Sequence, residues 1–120
     1  TYDSTANAII YCGADPHFVD VSYNTIGVDP LKLEDYLKKN TFIKNKKCTN
    51  KKTKKIIKAL IVVHAYGHPA HLDELKKVCL KFKLDLVEDA AEALGSFYKN
   101  QHAGTFGKVG ILSFETCSIK

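Results

Sequence analysis

Residues 56–87 read IIKALIVVHAYGHPAHLDELKKVCLKFKLDLV, and they contain a strand, a helix and a second strand in that order. The first segment, Ile56–Val63, is rich in β-branched residues, which is typical of a buried strand in a parallel sheet. Leu84–Val87 is predicted to be the next strand. Between them, apolar residues recur on one face of a helix, at Leu72, Leu75, Val78, Cys79 and Phe82. This order predicts a β–α–β unit and therefore an α/β fold.

The segment downstream of this unit predicts a hairpin and a further strand. Phe97–His102 favours a hairpin turn around Asn100, and the last strand is expected within Phe106–Phe114. The apolar run Val109–Phe114 is typical of a core strand, yet it lies close to the end of the sequence. A core strand in that place leaves a sheet unfinished. We therefore expect residues 1–120 to be an internal segment of a larger domain, incomplete at both ends.

The segment upstream predicts two helices and a short strand. Ala6–Tyr11 is expected to be helical, with a cap at Asp3 or Ser4 and a left-handed ending at Gly13. His17–Val21 favours a short strand. Asp29 and Pro30 together favour a helix start, because aspartate caps helices and proline suits the first helical position. The apolar residues of that second helix are Leu31, Leu33, Tyr36 and Leu37.

Residues 40–55 show no apolar periodicity and are expected to form a surface insertion. All eighteen basic residues of the chain are lysines, and eight of them lie between Lys44 and Lys58. The formal net charge is +5. Arginine, which suits bidentate contacts to phosphate and guanine, is absent from the sequence, so nucleic-acid binding is not expected.

Composition places the chain among ordinary globular proteins, with 45% hydrophobic and 26% charged residues. Its four cysteines, Cys12, Cys48, Cys79 and Cys117, are widely spaced and form no C-x-x-C pair. That spacing favours reduced thiols over a disulfide framework or a zinc ribbon. The longest apolar run, Ala59–Val63, is too short to span a bilayer, and no signal-peptide pattern is present. A cytoplasmic location without a membrane partner is expected.

Polar clusters follow three of the predicted strands, at His64–His68, Glu88–Glu92 and from Ser113 onward. Ligands of open α/β sheets bind outside the carboxyl ends of the strands, so these clusters are expected to share one pocket. The carboxylates of Glu88 and Asp89 are costly at a buried strand end unless a cation or hydrogen-bond donor meets them. A ligand cation could meet them, or the two residues could merely cap the following turn.

A metal-dependent hydrolase is a further interpretation, with His64, His68, Asp89 and Glu92 as its residues. It is weak, because the intervening Gly67 makes this a loop rather than the helix that zinc hydrolases use. No metal site is predicted.

Six motifs in order carry a resemblance to a known family: TANAI from Thr5, GADPHFVDV from Gly13, VHAYGHPA from Val63, EDAAEALG from Glu88, GTFG from Gly104 and SF from Ser113. The chain resembles the sugar aminotransferases of the DegT/DnrJ/EryC/StrS group over essentially all 120 residues. The resemblance implies part of the large domain of the type I pyridoxal-phosphate aminotransferase fold, a mostly parallel sheet with flanking helices.

The same resemblance implies the substrates and the assembly. The parent enzyme would bind pyridoxal 5'-phosphate and move an amino group, with glutamate as expected donor, to a nucleotide-linked keto-sugar for surface polysaccharides or glycans. It would act as a homodimer, and the isolated segment would be inactive. The lysine-rich insertion is similar to that of the subgroup acting on nucleotide-linked 4-keto-6-deoxy-N-acetylhexosamines.

Individual residues match cofactor-binding positions of the family. Asp89 matches the aspartate that pairs with the pyridine nitrogen, and Glu92 matches the position near the 3-hydroxyl group of the ring. Tyr2 matches the aromatic residue that stacks on the ring, and Ser113 matches a serine that binds the phosphate. His64 and His68 would shape a loop beside the pocket rather than act in catalysis.

The family's catalytic lysine, which forms the Schiff base with the cofactor, follows that serine by five residues. Ser118 occupies this place, and serine cannot perform that chemistry. Three alternatives follow. The terminal residues could depart from authentic family sequence, or a shift of two residues could make Lys120 the Schiff-base lysine. Otherwise the lysine is lost, as expected for a catalytically inactive or dehydratase-like relative.

Overall fold

A computed structural model describes residues 3–114 of the chain. Its helices are α1 (Ser4–Tyr11), α2 (Pro30–Asn40) and α3 (Leu72–Phe82), with a short 3-10 turn at Ala65–Gly67. Its strands are β1 (Thr41–Lys44), β2 (Lys47–Asn50), β3 (Ile56–Ile57), β4 (Ala59–Val63), β5 (Asp85–Asp89), β6 (Phe97–Tyr98), β7 (Gln101–His102) and β8 (Val109–Ile111).

The central sheet consists of three parallel strands in the order β4–β5–β8. Val63 pairs with Asp89, and Asp89 pairs with Ile111. The carboxyl ends of all three strands therefore meet at one edge of the sheet. Helix α3 connects β4 to β5, so the predicted β–α–β unit is confirmed.

The core lies between this sheet and two helices. The predicted apolar face of α3 is buried, and it packs with sheet and α2 residues that include Leu33, Leu37, Leu60, Val62 and Leu86. Burial and the nearby Asp85 charge raise the pKa of the Cys79 thiol to about 11. That thiol is therefore a core side chain rather than a reactive one.

Two local predictions are confirmed at the level of single residues. Asp29 caps α2, because its Oδ1 accepts hydrogen bonds from the backbone N–H groups of Leu31 and Lys32 at 2.9 and 3.1 Å. The β6–β7 hairpin turns through Lys99 and Asn100, which have φ angles of 48° and 59°. Two successive residues with positive φ form the tight turn that suits the twist of a hairpin.

The predicted insertion contains regular structure that its composition conceals. β1, β2 and β3 form an antiparallel sheet, hereafter the lysine sheet, in which Cys48 is fully buried. The prediction of one strand over Ile56–Val63 is wrong, because Ile56–Ile57 joins the lysine sheet and only Ala59–Val63 enters the parallel sheet. A strand at His17–Val21 is also not formed, and Val21 makes only a single bridge to Val28.

The termini of the described region also differ from the predictions. Asp3 precedes α1, but its side chain makes no capping hydrogen bond. The last strand is only three residues long, and its apolar side chains are not buried: Val109 and Ile111 are about half exposed, at 52% and 48%. Within residues 3–114, no helix has the length and apolar character needed to cross a membrane.

Candidate cofactor site

A cavity of about 120 Å³ lies at the carboxyl ends of β4 and β5, beneath the start of α1. Its lining residues are Ser4, Thr5, Val63, His64, Asp89, Ala91 and Glu92. We call these residues the strand-end site. The sheet edge is the place that the sequence predicted, and helix α1 supplies the wall that the sequence did not predict.

Asp89 is the half-buried carboxylate of this cavity. Its Oδ2 accepts a hydrogen bond from the Thr5 hydroxyl at 2.6 Å, and its Oδ1 accepts one from the Ala91 N–H at 3.2 Å. The second bond caps the turn after β5, as the alternative interpretation of Asp89 predicts. The first joins residues 84 positions apart and directs the carboxylate to the cavity.

The surroundings of Asp89 fit a pyridine ring that carries a proton. No lysine or histidine of residues 3–114 forms an ion pair with this carboxylate. An ionised carboxylate only accepts hydrogen bonds, so a ligand N–H⁺ is a complementary partner. Val63 and the small Ala91 provide an apolar surface suited to a flat ring. The residues present therefore fit pyridoxal phosphate.

Glu92 is exposed and holds the turn that follows β4. Its Oε2 accepts a hydrogen bond from the Tyr66 N–H at 2.9 Å. Tyr66 has a φ of 55°, in the left-handed region that is unfavourable for most residues. Glu92 therefore fixes this turn at the rim of the cavity, in addition to the ring contact predicted for it.

Glu88 points away from the cavity and is fully buried. Its Oε1 accepts hydrogen bonds from the N–H groups of Phe106 and Gly107, both at 2.6 Å. Its Oε2 accepts one from Gly104 N–H at 2.7 Å and lies 2.9 Å from His64 Nε2. The interpretation of Glu88 as a cap of the following turn is therefore wrong, because its side chain faces the interior.

These contacts also determine the charge of Glu88. Burial opposes ionisation, but the hydrogen bonds from His64, Gly104, Gly107 and Phe106 outweigh it and lower the pKa of Glu88 below its usual range. No sequence signal separates Glu88 from its neighbour Asp89. Only the alternation of β5 sends one side chain inward and the next to the cavity.

The two histidines differ in environment. His64 is buried, with 1% of its surface exposed, and its Nδ1 accepts a hydrogen bond from Ala70 N–H at 3.2 Å. His68 is exposed. Within residues 3–114, no group of three or more His, Cys, Asp or Glu side chains is arranged to hold a metal ion.

Ser113 is half-buried and follows Ile111, the register partner of Asp89, by two positions. It therefore lies at the same sheet edge as Asp89, although it does not line the cavity. Tyr2, Ser118 and Lys120 lie outside the described residues, so their predicted roles stay predictions. Thr5 is the contact to Asp89 that the sequence did not indicate.

Comparison with known proteins identifies relatives along nearly the whole chain. A sequence model of the DegT/DnrJ/EryC1/StrS aminotransferase family matches residues 1–118. EpsN from Bacillus subtilis (strain 168), which carries the name of a pyridoxal phosphate-dependent aminotransferase, is 38% identical over 114 residues, covering 95% of this chain and 27% of EpsN. GDP-perosamine synthase from Escherichia coli O157:H7 is 37% identical over 114 residues, with 95% and 27% coverage.

The fold is shared with solved structures of the same kind. The crystal structure of a DegT DnrJ EryC1 StrS aminotransferase from Brucella abortus matches with a TM-score of 0.82 and 30% identity, over 96% of this chain and 28% of that one. The chain thus spans about a quarter of the length of the relatives it matches.

Proposed function

We propose, because the chain belongs to the DegT/DnrJ/EryC1/StrS aminotransferase family, that it forms part of the cofactor-binding large domain of a nucleotide-sugar aminotransferase. Its α/β fold is that of part of a pyridoxal-phosphate aminotransferase. The relatives include a pyridoxal phosphate-dependent enzyme and a GDP-perosamine synthase by name. The observation that carries the proposal is the Asp89 carboxylate, directed to a cavity at the sheet edge by Thr5.

Bound pyridoxal phosphate supplies an electron sink through its protonated pyridine ring. Asp89 would keep the proton on the ring nitrogen, because an ionised carboxylate stabilises a neighbouring cation. Thr5 and Ala91 would hold Asp89 in place from two sides. Glu92 would lie near the 3-hydroxyl side of the ring.

Two further residues complete the proposed cofactor contacts. Ser113 would bind the phosphate, since it lies at the same edge of the sheet as Asp89. Tyr2 would stack on the ring, because it precedes α1, whose Ser4 and Thr5 already line the cavity. Stacking of this kind contributes roughly 0.5–1.5 kcal/mol beyond burial.

The substrate would be a nucleotide-linked keto-sugar of the 4-keto-6-deoxy-N-acetylhexosamine class, with glutamate as amino donor. The complete protein would work as a homodimer. Three free thiols among the described residues, Cys12, Cys48 and Cys79, are in keeping with a reducing cytoplasm.

A second candidate is a relative without transamination, either dehydratase-like or inactive. Ser118 stands five residues after Ser113, where the resemblance places the lysine, and this spacing favours the second candidate. Such a protein would keep the Asp89 site and lose the covalent bond to the cofactor.

One experiment separates the two candidates. The full-length protein is incubated with pyridoxal phosphate, treated with borohydride and digested, and the modified peptide is identified by mass spectrometry. If the protein is an aminotransferase, we expect a lysine that carries the reduced cofactor. The position of that lysine in the peptide shows whether Lys120 forms the Schiff base. Bound cofactor that dialyses away after borohydride treatment supports the second candidate. A protein that binds no cofactor at all contradicts both.

A further inference from the structure

We infer that Glu88 is a positioning residue, whose buried carboxylate ties the loop at residues 104–107 and the end of β4 to β5 and so fixes Asp89 at the cavity. The inference rests on the proposed function and extends it. Glu88 does not line the cavity, so it can act on a bound ring only through the cavity residues that it holds, which are its neighbour Asp89 and its hydrogen-bond partner His64.

All four groups that face the Glu88 carboxylate are donors, two on each oxygen. Phe106 and Gly107 donate to Oε1, while Gly104 and His64 donate to Oε2. A protonated carboxyl group would bring a fifth proton to a place where no acceptor faces it. Glu88 is therefore ionised in the folded chain.

His64 is a neutral donor in this arrangement. Its Nδ1 accepts a hydrogen bond from the Ala70 N–H, so Nδ1 carries no proton and the ring proton is on Nε2, facing Glu88. The buried anion is thus held by neutral donors alone. Replacement of Glu88 would leave these donors without a partner inside the protein, where unsatisfied groups are costly.

The carboxylate joins three chain segments at one residue from Asp89. His64 directly follows β4, and its backbone N–H donates a hydrogen bond to the Asp89 carbonyl oxygen at 3.0 Å. The loop 104–107 leads directly into β8, whose Ile111 carbonyl accepts from Ala90 N–H at 2.9 Å. Without the Glu88 carboxylate, the end of β4 and the loop 104–107 both lose their side-chain hydrogen bonds to β5. These bonds are made one residue before Asp89.

The test uses the full-length protein with Glu88→Gln, which keeps the size of the side chain but turns an amide NH₂ toward one pair of donors. Glu74→Gln is the matched control, since it makes the same chemical change on an exposed residue of helix α3. Amide hydrogen exchange is followed in two segments, 103–108 and 90–91. The Ala91 N–H is informative because it donates to Asp89 Oδ1.

We expect Glu88→Gln to accelerate exchange at least about tenfold in both segments, because loss of a buried anchor permits local opening. The absorbance band of bound cofactor should shift toward that of Asp89→Asn, and its affinity should fall by about tenfold or more. The control should match the wild type in each measurement.

A second pair of variants provides the rescue. His64→Leu removes the donor to Glu88, whereas His64→Gln offers an amide N–H in its place. The cofactor band should shift in the leucine variant and return toward the wild type in the glutamine variant. This pair keeps the inference testable if Glu88→Gln does not fold.

The outcomes are distinct. A lower melting temperature with unchanged cofactor band, affinity and Ala91 exchange would show that Glu88 supports the fold only, and would overturn the inference. If the wild-type protein binds no pyridoxal phosphate, the proposed function fails by itself. The exchange at Ala91 then still decides the inference: acceleration supports the hold on Asp89, and unchanged exchange refutes it.

Discussion

The strand-end site and the lysine sheet both concentrate charge, but they hold it in opposite ways. At the first, the carboxylate of Asp89 and that of its buried neighbour Glu88 are held by donors from distant parts of the chain, up to 84 residues away. Beside the second, Lys55, which directly precedes β3, forms an ion pair with Asp15, and the two side chains are 68% and 70% exposed. Charge that is desolvated and held at many points constrains a structure, whereas charge in water constrains it little.

The comparison predicts its largest effect at Asp89. Asp89→Asn in the full-length protein should weaken pyridoxal phosphate binding roughly 100-fold, since loss of one partner of a buried charge pair costs about 3 kcal/mol. Transamination should be nearly abolished. Titration of cofactor absorbance measures the first effect, with Asp85→Asn as the exposed control. Wild-type affinity in Asp89→Asn would remove the basis of the comparison and of the proposed function.

Acid unfolding provides the second test. The folded-state pKa of Glu88 is lowered from its usual 4.5, so its stabilising contribution is complete above that pH and is lost as pH falls through the folded pKa. The free energy of unfolding should therefore fall more steeply on acidification in the wild type than in Glu88→Gln. One proton accounts for at most about 1.4 kcal/mol per pH unit. Urea unfolding at several pH values gives both slopes, and equal slopes would contradict the prediction.

A smaller effect is expected from Thr5. Thr5→Val keeps the shape of the side chain but removes the hydroxyl that donates to Asp89 Oδ2. A hydrogen bond of this kind contributes about 1 kcal/mol, so cofactor affinity should fall roughly five-fold. Thr5→Ser retains the hydroxyl and should bind nearly as the wild type does. Equal weakening in both variants would assign the effect to packing of α1 instead.

The smallest effect is expected beside the lysine sheet, at Lys55, which directly precedes β3. Lys55→Gln removes the exposed ion pair with Asp15, and should leave cofactor affinity unchanged and shift the melting temperature by less than about 2 °C. Differential scanning fluorimetry with and without cofactor measures both quantities. A large loss of affinity would mean that this sheet communicates with the strand-end site.

The elements that the sequence predicts correctly are those specified by residues close together in the chain. The β–α–β unit, the cap at Asp29 and the hairpin at Asn100 follow from periodicity, capping and turn preferences over short distances. The sequence does not predict the β1–β2 hairpin, because its strands are only four residues long and lack apolar alternation. The turn there depends on Asn45 and Lys46 in left-handed conformations, with φ angles of 51° and 59°.

The site was predictable only in part, for a related physical reason. Its location followed from the rule that strand ends of parallel sheets meet at one edge. Strand alternation makes Glu88 and Asp89 point in opposite directions, but which of the two faces the cavity depends on how β5 packs between β4 and β8. The contact from Thr5 depends on where α1 packs, which no local pattern specifies.

Among the glycines of residues 3–114, Gly110 has the least room for a side chain. An added Cβ there would lie 1.8 Å from the carbonyl oxygen of Gly104. A single methyl group would thus push β8 and the loop apart at the point where Gly104 bonds to Glu88. Alanine at position 110 would add one carbon outside the lining of the cavity, and yet it would disturb the contacts that hold Glu88 beside Asp89. If the proposed function holds, a substitution at this glycine would lower retention of the vitamin B6 coenzyme rather than alter the choice of sugar.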